Sequence, residues 1–227
     1  MADDTLVGSL FPDEVLSAEA IPEVRRADLY DEEWNCVARA VPKRQAEFCA
    51  VRICARRLLA RLGFFDYPLL PNKDRSPRWP EGIIGSISHT NGYCAVVAAK
   101  AGALVGLGLD VEQDSPLKPE LIRLICTERE RNWLDNQPES DRCRLAKLIF
   151  CAKESAYKCQ YPLSKAFVDF KQAELYLDLE TRKFRAIILK DLGERLSPCL
   201  SISGRYDWRR SLVIASAFLR KEEIAKS

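Results

Sequence analysis

Asp110 and Glu112, in the run Gly106-Leu107-Gly108-Leu109-Asp110-Val111-Glu112, are the side chains whose types and spacing point most directly to chemistry. Successive side chains of a strand alternate between faces. The two carboxylates therefore share a face with Gly106 and Gly108, while Val105, Leu107, Leu109 and Val111 take the other. On this reading they stand beside a bare, roomy strip of backbone. In Phe150-Cys151-Ala152-Lys153-Glu154-Ser155-Ala156-Tyr157-Lys158, one helical turn separates Glu154 from Lys158, which puts a third carboxylate and an ammonium on one face. Magnesium keeps several waters and is held by one or two carboxylates together with phosphate oxygens. The set thus suits a divalent cation on a phosphorylated ligand, with lysines to neutralise the phosphates. A plainer account is an edge strand ending in acids and an ordinary Glu154–Lys158 surface pair.

These residues need elements to hold them. Lys43 to Leu62 predicts a helix with Phe48, Val51, Ala55, Leu59 and Leu62 on one face. Ile84 to His89 and Tyr93 to Ala99 predict a hairpin around Asn91-Gly92, a favoured tight-turn pair. Leu104 to Glu112 is the next strand, and Thr127-Glu128-Arg129-Glu130 reads as a capping box opening a helix at Glu128. Another helix runs from about Asp141 to Gln160 and stops before Tyr161-Pro162. Its stripe of Leu145, Leu148, Ile149, Ala152, Ala156 and Cys159 faces a core, with Lys147, Glu154 and Lys158 nearly opposite. Phe150 and Tyr157 flank that polar face, which implies a second buried side such as a cleft. Strands follow near Ala173 to Leu179, Phe184 to Leu189, Leu200 to Ser203 and Leu212 to Phe218, while residues 1–42 yield little beyond an edge element. The hairpin of Ser86-Ile87-Ser88 with Tyr93 to Ala98 is echoed by Ser201-Ile202-Ser203 with Ser211 to Ser216, which suggests two similar halves.

In order, Gly85-Ser86-Ile87-Ser88-His89, then Gly108 to Glu112, then Phe150 to Lys158 resemble the 4'-phosphopantetheinyl transferases. The branch is the one that serves enterobactin-type siderophore synthesis, with the related broad-range enzymes of pseudomonads. Lys43-Arg44-Gln45-Ala46-Glu47-Phe48, running on to Arg52-Ile53-Cys54-Ala55-Arg56, and Arg75-Ser76-Pro77-Arg78-Trp79-Pro80 look like the same branch. Each motif alone is weak, and the ordered set is specific. The resemblance implies an α+β fold of two pseudo-symmetric subdomains with the active site between them, taken here as residues 1–112 and 113–227. It implies transfer of 4'-phosphopantetheine from coenzyme A to a serine of an acyl, peptidyl or aryl carrier protein, releasing 3',5'-ADP. Magnesium, for which manganese could substitute, would be held by Asp110, Glu112 and Glu154. Glu154 would also take the serine proton, directly or through a metal-bound water, and Lys158 with Lys153 would stabilise the departing phosphate.

Coenzyme A would be held by Arg44, Arg52, Lys73, Arg75, Arg78, Ser88, His89, Asp110, Lys153 and Lys158. Arg44, Arg52 and His89, the only histidine, would stand near its 3'-phosphate. Cys151 occupies a position where many such enzymes have serine or threonine. Leu121, Leu124, Arg129 and Trp133, among several arginines, offer a surface on which an acidic carrier could dock. The pathway served would be siderophore, nonribosomal-peptide or polyketide synthesis, in a monomer. The rival classes are a catalytically idle coenzyme A or carrier-binding module and a magnesium-dependent phosphotransferase acting on a small molecule.

Composition bounds these readings. A net charge of +2 argues against a general nucleic-acid binder. Nine cysteines without a Cys-x-x-Cys pair argue against a zinc site, and free thiols without an export signal in Met1-Ala2-Asp3-Asp4 point to the cytoplasm. No apolar run approaches a membrane span.

Overall fold

The computed structural model describes residues 5–193, 196 and 199–224. The chain divides into two units, residues 1–102 and 103–227. In the first, a strand β1 (Leu16–Ala20) leads through a short helix α1 (Asp31–Asn35) to a long helix α2 (Pro42–Arg61) and the strands β2 (Ile83–Thr90) and β3 (Tyr93–Lys100). Pro42 opens α2 at its first turn, where a missing backbone N–H breaks no helical bond. Of the predicted face of α2, Phe48, Val51, Ala55 and Leu59 are buried. The hairpin forms as read, with Asn91-Gly92 between β2 and β3 and Gly92 at φ +75°, where a Cβ would be strained. The sheet is antiparallel in the order β1-β3-β2, and α2 lies on β1 and β3.

The second unit opens with β4 (Leu104–Gln113), followed by α3 (Pro119–Ile125), α4 (Glu128–Asp135) and α5 (Glu139–Ser164). It closes with β5 (Ala173–Asp178), β6 (Lys183–Ile188), β7 (Ser201–Arg209) and β8 (Leu212–Arg220). Its antiparallel sheet has the order β4-β8-β7-β6-β5, with α5 against β4 and β8. The strand carrying Asp110 and Glu112 therefore belongs to the second unit and not to a first half ending at 112. The reason is its partner, since Leu104 to Gln113 is laddered to β8 near the end of the chain. The capping box is present in both halves: the Thr127 side chain accepts from Glu130 N, and Glu130 accepts from Thr127 N.

Helix α5 runs past the expected stop at Gln160, through Pro162 to Ser164. Proline removes one helical bond, but with two residues of helix left it does not end it. Lys165 does, in the left-handed region at φ 54°. The predicted stripe Leu145, Leu148, Ile149, Ala152, Ala156 and Cys159 is buried throughout. Burial of each large apolar side chain there contributes roughly 1.5–3 kcal/mol. The echo between the hairpins extends to topology. In each unit a strand precedes a long helix, a later hairpin follows, and the early strand pairs with the hairpin's second arm.

Candidate active site

Gly106 and Gly108 do not border open space. A Cβ on Gly108 would stand 1.8 Å from the Ser155 carbonyl oxygen, and one on Gly106 would stand 2.7 Å from that of Cys159. The strip read as roomy is the seat of α5. The absent side chains let the helix backbone settle against β4, which brings the acidic strand and the Glu154–Lys158 face together.

Lys158 Nζ donates to Asp110 Oδ1 at 2.7 Å and to the Leu109 carbonyl at 3.0 Å. Glu112 lies 3.3 Å from Lys147 Nζ. Burial raises the Glu154 carboxyl above its ordinary range, and the charges of Asp110 and Glu112 add to this against the pull of Lys158. Burial lowers the Lys158 ammonium, but its bond to Asp110 and the charge of Glu154 outweigh that and raise it overall. The predicted trio of carboxylates is thus electrostatically coupled. Among the described residues no group of three His, Cys, Asp or Glu side chains is gathered closely enough to chelate a metal. Lysines 158 and 147 hold Asp110 and Glu112 instead. In kind the donors still fit magnesium, since it needs only one or two carboxylates beside phosphate oxygens and waters, and mutually repelling carboxylates are relieved by a cation. The Cys151 thiol is buried and points to the Asp110 and Val213 carbonyls at 3.4 and 3.6 Å, so it packs under the acidic strand.

Lys153 is placed elsewhere than expected. Its side chain is 1% exposed, and it donates to Glu130 Oε2 at 2.7 Å, the Ile125 carbonyl at 2.9 Å and the Phe170 carbonyl at 2.7 Å. Three protons meet three acceptors, which leaves none for a phosphate. Burial lowers its ammonium, opposed by Glu130. Beside Glu154 lies a cavity of about 130 Å³, walled by Tyr157, Phe167 and Phe170. Phe150 packs on Phe170 with ring centroids 5.6 Å apart, which answers the aromatics that implied a cleft.

In the first unit, Arg44 Nη1 donates to His89 Nε2 at 3.0 Å, and His89 Nδ1 stands 3.4 Å from the buried Glu47. The imidazole therefore carries its proton on Nδ1, toward the carboxylate. Arg52 is 6% exposed, stacks on the Phe48 ring at 4.0 Å, and has a buried Nε without a hydrogen-bond partner among the described residues. Burial lowers it to about 10 despite the charge of Glu33. A buried guanidinium stacked on a ring, with an Nε that has no hydrogen-bond partner among the described residues, suits an anion. Ser88 is buried in β2 beside His89. Lys73, Arg75 and Arg78 stand exposed on the loop before β2.

Of the expected docking residues, Leu121 and Trp133 pack against the core and Leu124 is 62% exposed. Arg129 stacks on Tyr176 at 3.6 Å and reaches Glu174. Sequence reasoning passed over Glu33, Arg56, Glu47 and the pairing of Glu130. The three glutamates are buried by packing and Arg56 is partly buried, and the one legible signal was Glu130 closing its capping box.

The fold and this motif set define a 4'-phosphopantetheinyl transferase, and the chain belongs to that family. The family's N-terminal domain model matches residues 32–99, and the 4'-phosphopantetheinyl transferase superfamily model matches residues 106–217. Among individual relatives, the chain is 37% identical to the 4'-phosphopantetheinyl transferase Svp of Streptomyces mobaraensis, over 81% of this chain and 76% of that protein. It is 32% identical to PptT of Mycobacterium tuberculosis over 96% of this chain and all of that one. Enterobactin synthase component D of Salmonella typhimurium is 36% identical over 51% of this chain and 48% of its own length. The protein is accordingly an enzyme that transfers phosphopantetheine, from coenzyme A, to carrier proteins. No helix among the described residues is long and apolar enough to cross a membrane.

Proposed function

We propose that the enzyme moves 4'-phosphopantetheine from coenzyme A to the serine hydroxyl of an apo acyl, peptidyl or aryl carrier domain, with magnesium, releasing 3',5'-ADP in support of siderophore, nonribosomal-peptide or polyketide synthesis. The observation that carries the reading is the meeting of Asp110, Glu154 and Lys158 over the glycine strip of β4. Asp110, Glu112 and Glu154 would hold the metal, which when bound would offset charge on the pyrophosphate. Glu154, whose carboxyl is raised by burial and by its acidic neighbours, is the stronger base for it and accepts the serine proton. Lys158, raised overall, stays protonated through neutral pH and offers a fixed positive charge to a phosphate. Arg44, Arg52 and His89 grip the 3'-phosphate, and the aromatic cavity beside Glu154 takes the uncharged arm of the substrate.

The test is intact-mass analysis of apo carrier domains incubated with the enzyme, coenzyme A and magnesium, with and without a chelator. One phosphopantetheine is gained only with magnesium. The Glu154→Gln protein loses at least about 100-fold in rate and still binds coenzyme A. A rate unchanged by Glu154→Gln refutes its role as base, and no gain on any carrier moves the reading to a binding module.

A further inference from the structure

The surroundings of Lys153 recur in the first unit. Glu130 Oε2 accepts from its own helix N-cap, Thr127 N, at 2.7 Å and from Lys153 Nζ at 2.7 Å, while Oε1 accepts from Leu175 N at 2.8 Å. Glu33 Oε2 accepts from Tyr30 N at 3.2 Å and from Arg56 Nη2 at 2.6 Å, while Oε1 accepts from Leu69 N at 3.0 Å. The cation of each pair also donates to a carbonyl just upstream of the short helix: Arg56 to Asp28, and Lys153 to Ile125. Residues 28, 30, 33 and 56 of one unit and 125, 127, 130 and 153 of the other run in constant register, with the cation 23 positions after the carboxylate. Both glutamates are buried, at 1% and 2% exposure.

A device present in both units is a device of the fold. In each, a glutamate in a short helix's first turn ties three things together: that helix, the long helix, and the chain returning after the long helix. The second unit adds one bond. Lys153 spends its third proton on the Phe170 carbonyl, and the Phe170 ring walls the cavity beside Glu154. Among the described residues Arg56 makes no such bond; it stacks on Tyr30 instead, at 4.1 Å.

We propose that Glu130 and Lys153 form a positioning clamp for the transfer reaction: they fix the α5 turn bearing Glu154 and the Phe170 wall of the neighbouring cavity, and Lys153 is not a phosphate ligand. This rests on the reading of Glu154 as base.

Steady-state transfer to an apo carrier domain is compared for wild type, Glu130→Gln, Lys153→Met, the two combined, and Lys153→Arg, with thermal melting alongside. The clamp predicts that kcat falls about 100-fold in each neutral single variant. KM for coenzyme A stays within about threefold, and the double protein is no slower than the worse single one, as for residues acting as a unit. Lys153→Arg, which copies the cation of the first unit, recovers most of the rate. A wild-type rate in Glu130→Gln overturns the proposal, as does a KM raised about tenfold or more in both Lys153→Met proteins. Should the single variants fail to fold, the double variant decides by the same KM and kcat, because it strands no lone buried charge. Should the wild-type enzyme modify no carrier, the reaction is misread. The clamp is then judged by melting: coupled shifts in single and double proteins support it, and additive ones overturn it.

Discussion

Replacing Gly108 with alanine would drive a methyl carbon to 1.8 Å from the Ser155 carbonyl oxygen, 2.8 Å from its carbon and 2.9 Å from Cys159 N. All three are backbone atoms of α5, so no rotamer change relieves the clash. Ordinary contact begins near 3.4 Å, and helix and strand must part by about 1.5 Å. Neither is free to move: β4 is laddered to β8 along its length, and α5 is sunk in the core by its apolar stripe. Overpacking of this kind costs about 1–3 kcal/mol, and a clash with fixed backbone on both sides belongs near 3. At about 2–4 °C per kcal/mol for a chain of this size, melting falls by about 6–12 °C. Activity suffers beyond stability, because the displaced helix carries Glu154 and the Lys158 that holds Asp110 at 2.7 Å. A misplacement of about 1 Å at reacting groups lowers rate on the order of 100-fold. Scanning fluorimetry and initial rates on an apo carrier read both effects. Gly102→Ala, which meets nothing within 4 Å, is the control. A Gly108→Ala protein with wild-type rate and a melting point within about 1 °C would refute the account of how the site is assembled.

Arg52→Ala and Arg44→Ala should each raise KM for coenzyme A about tenfold or more and leave KM for dephospho-coenzyme A unchanged, because the lost bonds are charge-assisted ones to the 3'-phosphate. An equal rise for both substrates would remove that assignment. Among the nine cysteines, Cys36 and Cys199 are exposed, whereas burial pushes Cys54 up to about 11 and Cys94 and Cys126 up to about 12. At pH 8 a thiol reagent should label the exposed pair quickly and the other three only after denaturation. Fast labelling of Cys94 or Cys126, mapped by peptide mass, would contradict their burial.

The carboxylate strand and the Glu154–Lys158 helix were legible because each rests on a short-range period that a sequence displays directly. The hairpin at Asn91-Gly92 and the capping box at Thr127 were legible for the same local reason. What the chain did not disclose depends on partners far away in it. Gly106 and Gly108 look like open backbone until α5 is seen lying on them. Lys153, next to Glu154, reads as catalytic until its acceptors at Ile125, Glu130 and Phe170 appear. Pro162 reads as a stop because local rules bar proline from a helix interior, yet it sits in a last turn with little left to break. The unit boundary moved for a kindred reason, since Leu104 to Gln113 is claimed by a strand more than a hundred residues later.

On the proposed role of Arg52 as a phosphate ligand, this residue links the enzyme's stability to its supply of substrate. A guanidinium buried against Phe48, with an Nε that has no partner among the described residues, holds the folded protein below the stability an apolar residue of like volume would give it. On the proposed assignment of Arg52 to the 3'-phosphate, that deficit would be reduced when the anion binds, and folding would be linked to substrate occupancy. At a ligand concentration about 100 times its Kd, the occupied fold gains about 2.7 kcal/mol over the empty one. On that assignment the enzyme would be sturdiest where coenzyme A is plentiful and most exposed to unfolding where it is scarce.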